Sequence, residues 1–285
     1  MKLIVHEVRH QEPLLTDPYD RWLAPTGECV CEFHRTLSEF VLRFPDQVDF
    51  LVNLQASSVQ AWPASGGSVE IARKLFENSI LPLIGNHDGG LFLHGSAVRA
   101  QSGAIGFLGY SRSGKTTLAG AFAKAGWPYM SEDVVDLQST DEGFLLRPKR
   151  SALRLFKDSA SHLLGLALDG VQGDGKQSVD SSDAIPFSDK PARLAALFIL
   201  GEDHEAALSI EPLHASAALP LLMKHCFVLD VEDRGRLKSH FGRLADLADK
   251  VPVFQLHYPR EYPILPEVCN AVARIEQGLD RDEAE

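Results

Sequence analysis

The stretch from Phe92 to Asp136, FLHGSAVRAQSGAIGFLGYSRSGKTTLAGAFAKAGWPYMSEDVVD, decides how the chain is read. At its centre, Gly109-Tyr110-Ser111-Arg112-Ser113-Gly114-Lys115-Thr116 fits the phosphate-loop pattern G-x-x-x-x-G-K-[ST] at every position. The two glycines let the backbone curl so that successive N–H groups face an anion. Lys115 can reach β- and γ-phosphates as a point charge, and the Thr116 hydroxyl can ligate the Mg²⁺ that bridges them. Ser111, Arg112, Ser113 and Thr117 complete the expected nucleotide-binding set. A helix is predicted directly behind the loop, with its positive end toward the phosphates.

The flanks agree with the pattern. Ala104–Leu108 is an apolar run of strand length. Thr116–Ala125 is alanine-rich and stops at Gly126, a favoured helix C′ residue. Trp127–Met130 reads as a strand ending in Glu132-Asp133, where an acidic Mg²⁺ ligand beside a phosphate loop is expected. Upstream, Leu91–Ala100 and Ala104–Leu108 flank Gln101-Ser102-Gly103 as an antiparallel hairpin. Pairing Ala100 with Ala104 sets His94 opposite Tyr110, level with the start of the loop. Against this stands the ordinary role of a lone histidine as a core or edge-strand residue.

Working outward, 285 residues with 45% apolar content suffice for one large domain or two small ones. Lys and Arg number 28 against 39 Asp and Glu, a formal charge of −11. That balance excludes a general basic surface for nucleic acid and disfavours an anionic membrane. No apolar run approaches the roughly 20 residues that span a bilayer. MKLIVHEVRHQE lacks the h-region of a signal peptide, so a cytoplasmic protein is expected. Cys29, Cys31, Cys226 and Cys269 have no zinc-finger spacing and read as structural thiols.

Residues 1–67 read as a small β-rich part, with strands at Leu3–Val8, Cys29–Phe33, Phe40–Phe44, Phe50–Leu54 and Ser58–Trp62. Residues 68–90 read as a connecting helix, capped by Ser68 and broken at Gly85–Gly90. Residues 91–278 form the expected catalytic domain, and residues 279–285 a disordered tail. Within that domain, Leu194–Leu200 reads as a buried strand and Ala152–Phe156 as a strand or a helix start. Helices are expected at His214–Phe227, Arg236–Lys250 and Pro266–Gln277, the second with a core stripe of Leu237, Phe241, Leu244 and Ala248. The polar stretch between Leu163 and Pro191 reads as a long loop of the kind that serves as a lid. Lys176 within it has the plain reading of a solvated lysine.

The order LHGSAV, turn, FLGYSRSGKTTLA, then a strand ending SEDVV resembles the HPr kinase/phosphorylase catalytic domain, and the His-Gly pair ahead of the loop is its distinguishing feature. LPLIGNHDGGLFLHGSAV, RPKRSALRLF and LHYPREYPILPEV resemble the wider set of HPr-kinase-like proteins, which includes kinases of lasso-peptide precursors. The resemblance covers roughly residues 75–275. It implies an α/β phosphate-loop kinase domain of the HPr kinase/phosphoenolpyruvate-carboxykinase-like type behind the β-rich N-terminal part. It further implies ATP and Mg²⁺ as cofactors and a serine on a peptide or protein as acceptor. Carried over residue by residue, it makes His94 the histidine near the phosphate, Asp133 the metal ligand and Glu132 the general base, where the family usually has Asp-Asp. Arg154 and Lys176 become candidates for neutralising the transferred phosphate. The glycine-rich signature of true HPr kinases is absent, which speaks against HPr as substrate and against a phosphorylase reaction. Free serine as acceptor, or a nucleotide-gated module without transfer, are the competing readings, and self-association stays open.

Overall fold

The structure, a computed structural model, describes residues 1–24, 26–36, 38–149, 153–165, 177–179, 181–182 and 185–282. The chain falls into two compact units. One holds Met1–Asp88 together with Val228–Arg234, and the other holds Gly89–Phe227 and the chain from Gly235 onward. The return of Val228–Arg234 to the first unit has no counterpart in the sequence reading.

The first unit is a six-stranded sheet followed by a helical segment. Its strands are β1 (Lys2–Val5), β2 (Asp20–Leu23), β3 (Cys29–Arg35), β4 (Phe40–Phe44), β5 (Val48–Asn53) and β6 (Ser58–Pro63), in the order β1-β6-β5-β4-β3-β2. Strand β4 shows strict alternation: Phe40, Leu42 and Phe44 are buried, and Val41 and Arg43 less so. Arg43 Nε and Nη2 clamp the Asp49 carboxylate across the β4–β5 pair, at 2.8 and 2.9 Å. Val228–Arg234 is tied in by Arg35, which pairs with Asp230 at 2.7 Å, and by the Tyr19 hydroxyl, which donates to Leu229 O. After β6, α1 (Val69–Leu75) starts on Ser68, whose Oγ accepts from Ile71 N at 3.1 Å. A π-turn at Phe76–Ile80 leads into α2 (Leu81–His87). The helical segment thus runs through Gly85-Asn86-His87, where the sequence reading placed a break. Buried Leu83, Ile84 and Asn86 hold it helical beyond Gly85.

The second unit is built on an eight-stranded sheet. Its elements in order are β7 (Leu91–Arg99), β8 (Ala104–Leu108), α3 (Lys115–Lys124), β9 (Tyr129–Ser131), β10 (Val134–Thr140), β11 (Gly143–Arg147), β12 (Leu153–Leu155), α4 (Lys157–Leu164), β13 (Gln177–Val179), β14 (Ala192–Leu200), β15 (Ser209–Leu213), α5 (Ala215–Met223), α6 (Arg234–Lys250), β16 (Val253–His257) and α7 (Leu265–Asp282). The order is β11-β10-β7-β8-β14-β16-β15, with β9 beside β7. Because β11 also pairs with β14, strands β11, β10, β7, β8 and β14 close a circuit of pairings. Strand β8 is buried at every residue because both of its faces are covered. Ile105 and Phe107 pack with Phe122 and Phe198 on one face. Ala104 and Leu108 pack with Leu93, Val135, Leu197 and Ile199 on the other.

Strands β8, β14 and β16 run parallel, so their carboxyl ends lie side by side. The hairpin register is Arg99 with Ala104 and Gly95 with Leu108. This differs by one residue from the expected pairing and brings His94 level with Gly109 rather than Tyr110. The slip arises at the turn, where Ala100 N bonds to Gly103 O at 2.7 Å and Ala100 is absorbed into the loop.

Other details also depart from the sequence. Along α6 the buried residues are His240, Leu244, Leu247 and Ala248, and Phe241 is 46% exposed. Helix α7 continues through Gly278 to Asp282, so the predicted tail is helical as far as Asp282 and residues 283–285 lie outside the described chain. Lys157–Leu164 is a helix, and Gln177–Val179 pairs with β12. The rest of the predicted long loop lies largely outside the described residues. No helix among the described residues is long and apolar enough to cross a membrane.

Gly95 provides a test of this packing. A Cβ there would sit 2.7 Å from the Phe107 carbonyl oxygen and 2.6 Å from Leu108 Cδ2. Gly95→Ala is expected to lower stability by about 1–3 kcal/mol, the usual range for overpacking a core. Urea unfolding monitored by tryptophan fluorescence checks it, and an unchanged midpoint contradicts the packing described.

Candidate active site

Each side chain of the site follows from a strand end or a helix start. The loop leaves β8 at Gly109 and enters α3 with Gly114 at φ 92° and Arg112 at φ 65°. Gly109 has no room for a side chain, since a Cβ would lie 2.5 Å from Ser113 Oγ. The first N–H groups of α3 have no intrahelical acceptor and are available to an anion. Lys115 Nζ donates to Gly109 O at 2.8 Å and Tyr110 O at 2.6 Å, which folds its charge back over the loop. Ser96 on β7 donates to Lys115 O at 3.0 Å and ties the helix start to the neighbouring strand.

Glu132 and Asp133 lie between β9 and β10 and differ sharply in surroundings. Val134 N–H closes back on Glu132 O at 2.8 Å, with Asp133 at φ 63° in the middle of the turn. Turns of this handedness are uncommon and strained, and such backbone clusters at functional positions. The turn leaves Glu132 buried and Asp133 on the cavity, with both carboxylates on Arg154. Glu132 is buried: its Oε1 accepts from Thr116 Oγ1 at 3.4 Å, and its Oε2 accepts from Arg154 N at 2.9 Å and Nε at 3.3 Å. Asp133 lines the cavity in front of the loop and receives Arg154 Nη2 on Oδ2. Thr116 and Asp133, expected together as metal ligands, both line the cavity, while Glu132, expected as the base, is buried against Thr116 and Arg154 and is not among the lining residues. Arg154, expected at the phosphate, lines the same cavity and is held on both carboxylates. Burial lowers its guanidinium pKa.

His94 lines the same cavity. Its Nδ1 lies 3.0 Å from the Asp133 carbonyl oxygen. A carbonyl only accepts, so the ring carries a proton on Nδ1. Backbone pairing of His94 N with His225 O at 2.7 Å fixes its height on β7. His225 is buried at 4% exposure, with the Tyr110 ring edge-on at 5.3 Å. Burial first, then the charges of Lys115 and Lys224, push its pKa down to about 4.

The cavity, of about 280 Å³, brings together His94, Ser111, Arg112, Gly114, Lys115, Thr116, Thr117, Asp133 and Arg154 of the expected set. Gly109 and Ser113 belong to the loop without lining it, and Lys176 lies outside the described residues. On the side toward Thr117, the cavity is walled by residues the sequence reading gave no role. Thr117 Oγ1 and Ser159 Oγ are 3.1 Å apart, Ser159 Oγ and the Tyr262 hydroxyl 3.0 Å, and that hydroxyl donates to Asp158 at 2.7 Å. Tyr258 and Arg260 close the wall behind Gly114. The signal for them was available: ligands gather at the carboxyl ends of parallel strands, and HYPREY directly follows β16.

Among the described residues, no group of three or more His, Cys, Asp or Glu side chains converges as a cation cage. The donors beside the loop are the oxygens of Thr116, Glu132 and Asp133. They suit a hard cation such as Mg²⁺ that keeps most of its shell from phosphate and water.

No family model matches the chain, and no curated protein matches it. Among solved structures, the HPr(Ser) kinase/phosphatase from Coxiella burnetii is similar over 66% of this chain and 98% of its own, at 12% identity and a TM-score of 0.34.

The neutral His225 gives the site a pH signature. Its folded pKa, near 4, lies below the ordinary value near 6.5, so the unfolded chain binds the extra proton between these values. Stability is therefore expected to rise as pH increases from about 4 to about 6.5, by roughly 3 kcal/mol from this residue. His240, also pushed down to about 4 by burial, adds in the same window. His225→Gln should flatten that rise in urea unfolding across the window; an identical pH profile contradicts the buried neutral imidazole.

Proposed function

We propose that this chain is an ATP- and Mg²⁺-dependent kinase that transfers the γ-phosphoryl group to a serine hydroxyl on a peptide. The observation that carries the reading is the convergence of the phosphate loop, Asp133 and His94 on one cavity. The loop N–H groups and Lys115 hold the phosphates, with Lys115 exchanging its contacts with the Gly109 and Tyr110 carbonyls for phosphate oxygens. Mg²⁺, held beside Thr116 with Glu132 behind it, would neutralise phosphate charge when bound. Glu132 is buried against Thr116 and Arg154, whereas Asp133, also paired with Arg154, lines the cavity, and on that ground the proton of the acceptor hydroxyl is assigned to Asp133. The serine Oγ–phosphorus bond forms, the bond from the γ-phosphorus to the β–γ bridging oxygen breaks, and ADP leaves. His94, fixed by its Nδ1–H on Asp133 O, faces the reacting phosphate and orients it.

The sequence resemblance to precursor-peptide kinases supports a biosynthetic precursor peptide as acceptor. A serine on another protein ranks second and free serine third. Incubation with ATP, Mg²⁺ and the peptide encoded beside the gene should add about 80 Da, the mass of one phosphoryl group, to that peptide. Transfer to free serine alone overturns the peptide acceptor. Nucleotide binding with no transfer to any of the three acceptors turns the reading toward a binding module.

Two variants separate binding from chemistry. ATP with Mg²⁺ at a hundred times its Kd should stabilise the parent by about 2.7 kcal/mol. Lys115→Ala should lose most of that shift in thermal unfolding while the ligand-free fold survives. Asp133→Asn should slow transfer by about 10²- to 10⁴-fold, the usual contribution of a general base, with nucleotide affinity retained. Glu132→Gln should instead weaken Mg²⁺-dependent binding. If Glu132→Gln abolished transfer with binding intact and Asp133→Asn did not, Glu132 would be the base and Asp133 the group that supports the metal.

A further inference from the structure

Arg260 stands just beyond β16, on the wall behind Gly114. A Cβ built on Gly114 would lie 3.7 Å from Arg260 Cδ and 3.9 Å from its Nε, so the side chain runs directly over the glycine that opens α3. Its position is fixed on three sides. The guanidinium lies 3.9 Å over the Tyr258 ring. Nη1 donates to Tyr258 O at 2.7 Å, and Nη2 donates to Gly201 O at 2.8 Å, at the end of the adjacent strand β14. Arg260 N bonds to His204 O at 2.9 Å, which pins the backbone as well.

What this guanidinium lacks is a counter-charge. Arg154 sits on Glu132 and Asp133, Arg43 on Asp49, and Arg147 on Asp136. Among the described residues, Arg260 is held only by carbonyl oxygens and an aromatic face, and its buried Nε has no partner. A partly desolvated cation without an anion is unfavourable, and burial accordingly lowers its pKa. Shortage of acids does not explain this, because the chain carries an excess of 11 negative charges. Of its five N–H groups, two are used and one is buried; the second hydrogen on each Nη remains for a ligand.

We propose that Arg260 is a second phosphate-binding cation of this site, and that the polyphosphate chain of a nucleotide seated on Gly114–Thr117 supplies its missing counter-charge. The proposal rests on the nucleotide reading above. It gives the HYPREY segment a function and assigns to Arg260 the phosphate contact that Arg154, held on two carboxylates, does not make in this arrangement.

The test is calorimetric binding of ATP and of inorganic tripolyphosphate, with Mg²⁺, to the full chain and to Arg260→Gln. The expected result is a loss of about 10- to 100-fold for both ligands alike, the range for a charge-assisted hydrogen bond. Equal loss marks a contact to phosphate rather than to the nucleoside. Equal affinities of parent and Arg260→Gln overturn the proposal and leave the phosphate loop standing. A parent chain that binds neither ligand overturns the loop reading and this proposal together. A second measurement needs no variant and is immune to misfolding. Phenylglyoxal labelling of the native chain, mapped by peptide mass, should fall at Arg260 when tripolyphosphate is present; unchanged labelling there, with tripolyphosphate bound, overturns the proposal.

Discussion

Burial of β8 on both faces is the constraint on which the second unit depends. A five-residue strand with no exposed side chain can exist only between two apolar layers: Phe122 of α3 packs with Ile105 and Phe107 on one face, Val135 of β10 packs with Leu108 on the other, and β7 and β14 pair with its edges. That arrangement leaves the carboxyl end of β8 as its outlet to solvent, and the loop emerges there. Glycine at 109 follows from the same crowding, because Ser113 Oγ and Leu200 Cβ occupy the space a side chain would need. The parallel run of β8, β14 and β16 then aligns three strand ends, so that Gly201, Tyr258 and Arg260 meet the loop without being near it in sequence.

Charge is distributed against the average of the chain. The molecule carries a formal charge of −11, yet Arg112, Lys115, Arg154 and Arg260 all line one cavity. Lys115 rests on carbonyls and Arg260 on carbonyls and a ring, contacts weak enough to yield to a phosphate. Arg154 is different, because two carboxylates hold it. Asp133, Asp158 and Glu261 line the same cavity, so its cations outnumber its carboxylates by one.

Elements defined by local chemistry were legible in the sequence. The loop, the hairpin before it, the helix behind it and the Ser68 cap all depend on residues within a few positions of one another. Elements defined by distant partners were not. Strand β15 and the return of Val228–Arg234 carry no local signature, and Phe241 has helical spacing but meets solvent. The hairpin register slipped by one because Ala100 closes the turn rather than pairing in the ladder, a choice of loop length that alternation alone does not determine. In the site, the sequence names the acidic, basic and hydroxylic residues, but which carboxylate faces which partner depends on the backbone at Asp133.

That backbone explains why glutamate suits position 132. In an extended strand, neighbouring side chains point to opposite faces, and a turn centred on a left-handed residue changes where each one aims. Here Glu132 points inward at the end of β9 and must span from Thr116 to the amide of Arg154 at once. Its additional methylene gives the carboxylate reach to bridge α3 and β12, while Asp133, of a type that tolerates positive φ, takes the centre of the turn and faces the cavity. The pair Glu-Asp therefore divides by length and conformation: the longer acid binds structure to the loop, and the shorter one, on the strained residue, faces the cavity.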